Sequence, residues 1–492
     1  VASPAIDGGG ILVQGGKIGA LLSAAEAQNL KAAQPQLPHE HLPGAVLTPG
    51  LFNLHTHLDY TNLAHLEAFN GESMFDWLED LVSQSRSTLN TAEMLGQSAL
   101  AGARQAALAG TSFVVDSTFS GAPAQALAEV GLKGLVGLEL FGLDSELADL
   151  LFDLWQERLA KLTATAGSAL QEALQSGRVR LTIAPHAPYT VAPALWLKAK
   201  HWAKERGLPL TCHLAESDNE FNWIKNQDDR LDQYLLKVMP KNPTKSSQDA
   251  LKDLETLVKS LPWRGSDLSP CAHLYKYELL DEGTIAAHCL KLSPEDIKLL
   301  ADQRVKVALC PRSNNRLNNG LPQPQTLIDS GITCGLGTDS RASSPSLCLL
   351  EEAHYLHSML LASNVLATNG PATNGPATNG PATNGPATIG AATNDQAPDY
   401  KQLLSMLTLG GAKAVGLDER TGSLEVGKCA DIAAFDLSNR GDGGSDTGRR
   451  RPINTANPAT PEQALAALFE TSPACLLLLV DGKAVVRDGR LV

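Results

Sequence analysis

The sequence is short of positive charge, of paired cysteines and of long apolar runs, and each shortage removes a class of function. Its 492 residues carry 40 Lys and Arg against 53 Asp and Glu, a formal net charge of −13. That balance argues against nucleic acid as a partner, because binding a phosphate backbone calls for clustered cations. The RRR at 449–451 sits among Gly, Ser and Asp and reads as a solvated charge run. Eight cysteines are scattered along the chain, with no CxxC pair. They argue against a disulfide scaffold or a cysteine-type zinc module, and predict a reducing, cytoplasmic setting. No apolar stretch approaches the ~18 residues that a membrane span needs. The longest, CLLLLV at 475–480, has the length of a buried strand. No basic stretch followed by an apolar core opens the chain, which starts at Val1, so no secretory leader is expected.

What is present is a large apolar fraction, 43%, enough for a substantial core. Both ends read as β-structure. ILVQGGKIGALLSA has the pattern of a hairpin, and Asp481-Gly482 is a two-residue turn between alternating apolar runs. In between, eight short apolar runs (51–58, 111–119, 132–142, 179–187, 208–215, 283–290, 305–311 and 332–339) alternate with amphipathic helical patterns. Eight strand–helix alternations predict a parallel sheet, and eight strands close a (β/α)8 barrel of the TIM type. The expected division is 1–48 and 418–492 as the two parts of a terminal β unit, with 49–417 as the barrel. Three stretches interrupt it: a polar, partly helical insertion at 225–282, four TNGPA repeats at 368–388 that read as a solvated linker, and a flexible loop at 438–461.

The chemistry-bearing residues gather at predicted strand ends. His55 and His57 are two apart at the end of the first barrel strand, and the C-terminal strand ends are where barrels build active sites. His213, His288 and Asp339 end the fifth, sixth and eighth strands. Three imidazoles and a carboxylate, from His55, His57, His213 and Asp339, suit one divalent metal with a coordination position left open. Glu216, three residues past His213, is placed to carry protons beside the metal; Asp218 or Glu220 would instead serve the start of the following helix. The fourth strand ends in APHAPYT and offers no Lys to bridge a second ion, which favours one metal. His186 in that motif either touches substrate or caps the turn between Pro185 and Pro188.

Together these pieces resemble the amidohydrolase superfamily: PGLFNLHTHLD (49–59), APHAPYT (184–190), HLAES (213–217), AAHC (286–289), CPRSNN (310–315), GLGTDS (335–340) and GSLEVGKCADIAAFD (422–436). Within it the chain is most similar to the aminohydrolase branch. That branch includes cytosine, guanine, methylthioadenosine/S-adenosylhomocysteine and aminodeoxyfutalosine deaminases and the triazine hydrolases. The resemblance implies a barrel plus a small β-sandwich domain built from both chain termini. It also implies one zinc or iron ion on His55, His57, His213 and Asp339, with zinc preferred, and catalytic roles for Glu216, His288 and Asp339. It places His186 and Glu216 against substrate. The methylthioadenosine/S-adenosylhomocysteine branch has a glutamate after the WL of the first helix that reads the purine; here that place falls on Arg86, which is thereby expected to bind substrate.

The implied reaction is hydrolytic removal of ammonia from a heteroaromatic amine of purine or nucleoside type. Asp339 would accept the proton of the attacking water, Glu216 would protonate a ring nitrogen and His288 would steady the nucleophile or oxyanion. The alternatives are amide or triazine-type hydrolysis at the same centre and, from another class, a catalytically silent barrel scaffold. The partner expected is a small molecule, with no membrane. A homodimer is what the resemblance suggests.

Overall fold

The computed structural model describes residues 5–68, 73–239, 246–368, 395–438 and 460–492. The TNGPA repeats after Thr368, the loop at 439–459 and the RRR lie outside the described residues.

The strands, in chain order, are β1 (Gly10–Gln14), β2 (Lys17–Leu22), β3 (Ala45–Pro49), β4 (Leu51–Thr56), β5 (Thr111–Thr118), β6 (Lys133–Leu140), β7 (Val179–Pro185), β8 (Leu210–Leu214), β9 (Thr284–His288), β10 (Lys306–Leu309), β11 (Cys334–Leu336), β12 (Ile432–Asp436), β13 (Cys475–Val480), β14 (Lys483–Arg487) and β15 (Arg490–Leu491). β4 to β11 fall within the eight apolar runs read from the sequence. They form two parallel four-stranded sheets, ordered β4-β5-β6-β7 and β11-β10-β9-β8. Helices such as Ala92–Leu108, Ala122–Val130, Ala148–Ala164, Pro193–Glu205 and Pro294–Asp302 connect successive strands. This alternation fits a TIM-type barrel.

Hydrogen bonds cross both places where the sheets meet. His213 N donates to the His186 carbonyl at 2.8 Å, and Thr182 Oγ1 to the Pro209 carbonyl at 2.6 Å. On the other side Asp339 N donates to the His55 carbonyl at 3.0 Å, and Thr338 N to Asn53 Oδ1 at 3.1 Å.

Two apolar layers sandwich these strands. Leu127, Leu138, Trp155, Trp196 and Leu300 belong to the layer between strands and helices. Phe52, Leu54, Phe113, Val115, Leu135, Ile285 and Ala308 form a second cluster, drawn from both sheets and including Ala412 and Val415. His55 meets residues of the opposite sheet just as Leu54 does, which simple strand alternation forbids. The reason is a bulge. The register of β4 against β5 runs Asn53↔Val114 and then Thr56↔Asp116, one residue extra on β4. A bulge of this kind re-aims the side chains beyond it.

The chain ends combine as the β-rich termini predict. β3 joins β12 to β15 in one antiparallel sheet, ordered β15-β14-β13-β12-β3. Asp481 and Gly482 make the β13–β14 turn with φ of 48° and 73°, the left-handed pair that such a hairpin needs. The β1–β2 hairpin lies against it, with Ile18 packed on Ala430 and Ile432. Lys133, at the start of β6, ties this sheet to the parallel strands. Its buried Nζ contacts Asp431 Oδ2 and Asp481 Oδ1, each at 2.7 Å.

The 225–282 insertion contains the helices Asp229–Val238, Ser247–Ser260 and Pro270–Lys276. Its polar composition hides a core of its own. Leu231, Tyr234, Leu235, Val258 and Trp263 cluster with Phe75, Trp77 and Leu81 of the helix Met74–Thr88, and with Tyr189, Leu317 and Ala342 from loops beyond the strand ends.

Candidate metal centre and active site

Three segments deliver four imidazoles to one place. Ring centroids of His55 lie 4.9 Å from His57, 4.8 Å from His213 and 5.3 Å from His288. Asp339 Oδ1 is 3.9 Å from His55 Nε2 and 3.7 Å from His57 Nε2. All five residues are buried. The backbone turns abruptly to achieve this. Ala215, His288, Cys289 and Asp339 have φ of 52°, 71°, 49° and 55°. Left-handed residues without glycine cost about 1–3 kcal/mol each and persist where the surroundings enforce them. Gly337 is required for a different reason: a Cβ there would sit 2.8 Å from the His55 Cβ and carbonyl oxygen.

The tautomers follow from the partners. His57 Nδ1 is 2.7 Å from the Ser117 carbonyl and His213 Nδ1 is 3.0 Å from the His186 carbonyl. A carbonyl only accepts, so each Nδ1 carries a hydrogen and each ring turns its Nε2 inward. Those two Nε2 atoms face each other at 3.2 Å. Burial, followed by the neighbouring histidines, holds His213 well below the usual histidine range, so its Nε2 is an acceptor here. His55 Nε2 is also buried without a hydrogen-bond partner. Facing imidazole nitrogens and an orphaned nitrogen beside a carboxylate are what a divalent cation requires. Two nitrogens at 2.0–2.1 Å from a tetrahedral zinc would stand about 3.3 Å apart. The donor set His55, His57 and Asp339, with His213 opposite His57, therefore fits a divalent cation.

Asp339 is poised as an anion. Burial raises its pKa, but His57, His55, His288 and the Ser313 hydroxyl outweigh that and hold it at about 2. Ser313 and Ser343 donate to its Oδ2, at 2.6 and 3.0 Å, and Ser340 N to its Oδ1 at 2.7 Å. Glu216 is the opposite case. Burial, then the Asp339 charge, pushes its carboxyl well above the usual range, toward the protonated form. Its Oε1 lies 3.7 Å from His288 Nε2 and 3.4 Å from Asn319 Nδ2. The helix-start work belongs to Glu220, whose carboxylate accepts from Ala215 N at 3.1 Å and Glu216 N at 2.8 Å. Asn314 fixes His288 through Nδ1 at 2.8 Å.

His186 stands at the edge of the cluster, its ring centroid 4.7 Å from that of His213, with Nδ1 against Thr190 Oγ1 at 2.9 Å. Arg86 is not brought to the centre. It is exposed in the last turn of Met74–Thr88, where Nη2 reaches the Val238 carbonyl at 3.5 Å. The motif offset located a helix position but not the face it presents. Residues that sequence reasoning passed over include Asp59, which accepts from Thr118 and Ser120, Asp116, which accepts from Leu58 N at 2.8 Å, and Glu139. The available signal was an acidic residue near the C-terminal end of an otherwise apolar strand, as in FVVDST and GLELFG.

A buried histidine–carboxylate centre at the strand ends of such a fold defines the class of metal-dependent hydrolases. The chain belongs to the amidohydrolase family, whose model matches residues 46–485. It is an enzyme acting on carbon–nitrogen bonds other than peptide bonds. It is similar to a 5-methylthioadenosine/S-adenosylhomocysteine deaminase of Thermoanaerobacter pseudethanolicus, 27% identical over 80% of this chain and 73% of that protein. Among solved structures it resembles a zinc-bound adenosine deaminase from Xanthomonas campestris, with a TM-score of 0.68 and 21% identity, covering 98% of this chain and 89% of that one. It also resembles the zinc complex of the atrazine chlorohydrolase TrzN from Arthrobacter aurescens, with a TM-score of 0.64 and 20% identity, covering 98% and 92%. Among the described residues no helix is long and apolar enough to cross a membrane.

Proposed function

We propose that the chain is a mononuclear, zinc-dependent aminohydrolase that releases ammonia from the purine ring of adenosine-type nucleosides. The observation that carries this is the pairing of opposites at one centre: imidazole nitrogens facing each other at 3.2 Å, and beside them one carboxyl group held ionised and one pushed toward the protonated form. His55, His57, His213 and Asp339 are the ligands in this reading. A metal held there supplies the Lewis acidity that makes water a nucleophile near neutral pH. Asp339 accepts the proton that the attacking water gives up. Glu216, protonated at rest, donates to the ring nitrogen next to the attacked carbon. His288, steadied by Asn314, hydrogen-bonds the oxygen as charge develops on it. Asp339 returns its proton to the exocyclic nitrogen and the hydroxyl proton passes to Glu216, so ammonia leaves as the ring carbonyl forms and both carboxyl groups regain their starting states. His186 lines the substrate side. The same reading takes the parallel strands as a closed barrel spanning 49–417, with residues 1–48 and 418–492 as the two parts of a β-sandwich.

The test is ammonia release from adenosine, methylthioadenosine, cytosine and a chlorotriazine by zinc-loaded protein. The expected outcome is ammonia from the two nucleosides. Chloride or an amine from the triazine, with no ammonia from nucleosides, would overturn the reading in favour of triazine-type hydrolysis.

A further inference from the structure

Glu139, the seventh residue of β6, is a buried carboxylate with nothing to hold. It is 5% exposed, yet among the described residues its carboxylate accepts no hydrogen bond and forms no ion pair. Leaving such a group unmatched is expensive, so its partner is to be sought in what enters the cavity. The carboxylate lies within 4.8 Å of ring nitrogens of both His186 and His213, which places it beside the metal centre. A second cation does not explain it. His213 Nδ1 is taken by the His186 carbonyl and its Nε2 faces His57, so no lone pair remains for another ion.

The surroundings specify the ligand. Arg158 gives its Nη2 to the main-chain carbonyl of Glu139 rather than to its carboxylate, and rests its guanidinium 4.4 Å from the Phe119 ring centre. After burial, the Glu139 charge acts on the phenols of Tyr60 and Tyr234, and Tyr189 feels it as well as Glu216. The buried carboxyl groups of Asp59 and Asp116 couple electrostatically to it. A buried carboxylate repels phosphates and carboxylates and welcomes hydrogen-bond donors. β6 is the third of the parallel strands, whereas Glu216 and His288 come from the fifth and sixth. A substrate whose base lies at Glu216 would therefore extend its other end toward Glu139.

We propose that Glu139 reads the sugar: its two oxygens accept hydrogen bonds from the vicinal hydroxyls of an uncharged ribonucleoside, with His186 beside them. This rests on the aminohydrolase reading above and narrows it to nucleosides that keep both hydroxyls. A site built around such acceptors rejects an analogue without the donors strongly, because the carboxylate is then buried unpaired.

The experiment compares adenosine with 2′,3′-dideoxyadenosine on zinc-loaded wild type, Glu139→Gln and Glu139→Ala, with metal content measured for each. Wild type is expected to favour adenosine at least about 100-fold in kcat/KM. Glu139→Ala should bring that ratio near unity by lowering the adenosine value and raising the dideoxy value, since no carboxylate is left stranded, with the metal content retained. Glu139→Gln, which keeps the shape, should reduce the ratio at least about tenfold, and it serves if the alanine variant does not fold. Equal losses on both nucleosides would assign Glu139 a structural role and overturn the proposal, as would loss of metal from the glutamine variant. Ammonia from neither nucleoside with wild type would overturn the aminohydrolase reading itself, and this inference with it.

Discussion

Two carboxyl groups of one centre are set to opposite states by their surroundings. Asp339 is stabilised as an anion by three imidazoles and two hydroxyls, while Glu216, equally buried, has Asn319 at 3.4 Å, His288 at 3.7 Å and the repulsion of Asp339. Glu216→Gln should therefore retain the metal, as measured by elemental analysis, and lose at least about a hundredfold in kcat, the low end of proton-transfer catalysis. Glu220 gives a prediction about pH. Burial raises its folded pKa from 4.5 to about 8. Below pH 4.5 folded and unfolded chains are both protonated there and the group is neutral in its effect. Between 4.5 and about 8 the folded state binds more protons, so stability falls as pH rises through that window. Glu220→Gln should flatten this part of the dependence, read as the thermal midpoint of metal-loaded protein at several pH values. The convergence of His55, His57, His213 and Asp339 was legible in the sequence because each follows an apolar run. Glu139 was not, since a lone acid within a strand announces neither its depth nor its lack of a partner.

The elements show how the strands were predictable while their details were not. Runs such as VRLTIAP and VKVAL are apolar on both faces, as buried parallel strands must be, and turn signals bound them. The bulge in β4 left no trace in LFNLHTHL. Period-two reasoning put His55 and His57 on one face correctly but missed that Leu54 shares the interior with them. Arg86 failed at this scale too, because an offset along a helix fixes a face only when the helix rotation is known. The approach of β11 to β4 yields a test. Gly337→Ala places a methyl group 2.8 Å from His55 atoms, including its backbone oxygen, and must push the strand ends apart. The expected result is a loss of about 1–3 kcal/mol in denaturant unfolding, together with reduced zinc affinity in a competition titration. Unchanged zinc affinity would show that the centre tolerates the displacement.

At the scale of the molecule, one buried lysine joins residues almost 350 positions apart in sequence. Lys133 neutralises Asp431, which Thr421 also contacts at 2.6 Å, and reaches Asp481 in the β13–β14 turn. Removing one partner of a buried ion group leaves the others uncompensated. Lys133→Ala should cost about 3–5 kcal/mol by calorimetry, and adding Asp431→Asn should recover part of it. Additive losses in the double variant would refute the coupling. The joining of the two chain ends was readable from their shared β pattern and turn residues. The lysine anchor was not, because a Lys opening an apolar strand looks the same whether it meets water or two carboxylates.

The insertion and the helix Met74–Thr88 have their own apolar cluster, separate from the layers that pack the strands. Met74 of that cluster touches Asn319, which in turn reaches Glu216, so replacements there can retune the border of the centre while the layers that pack the strands stay intact.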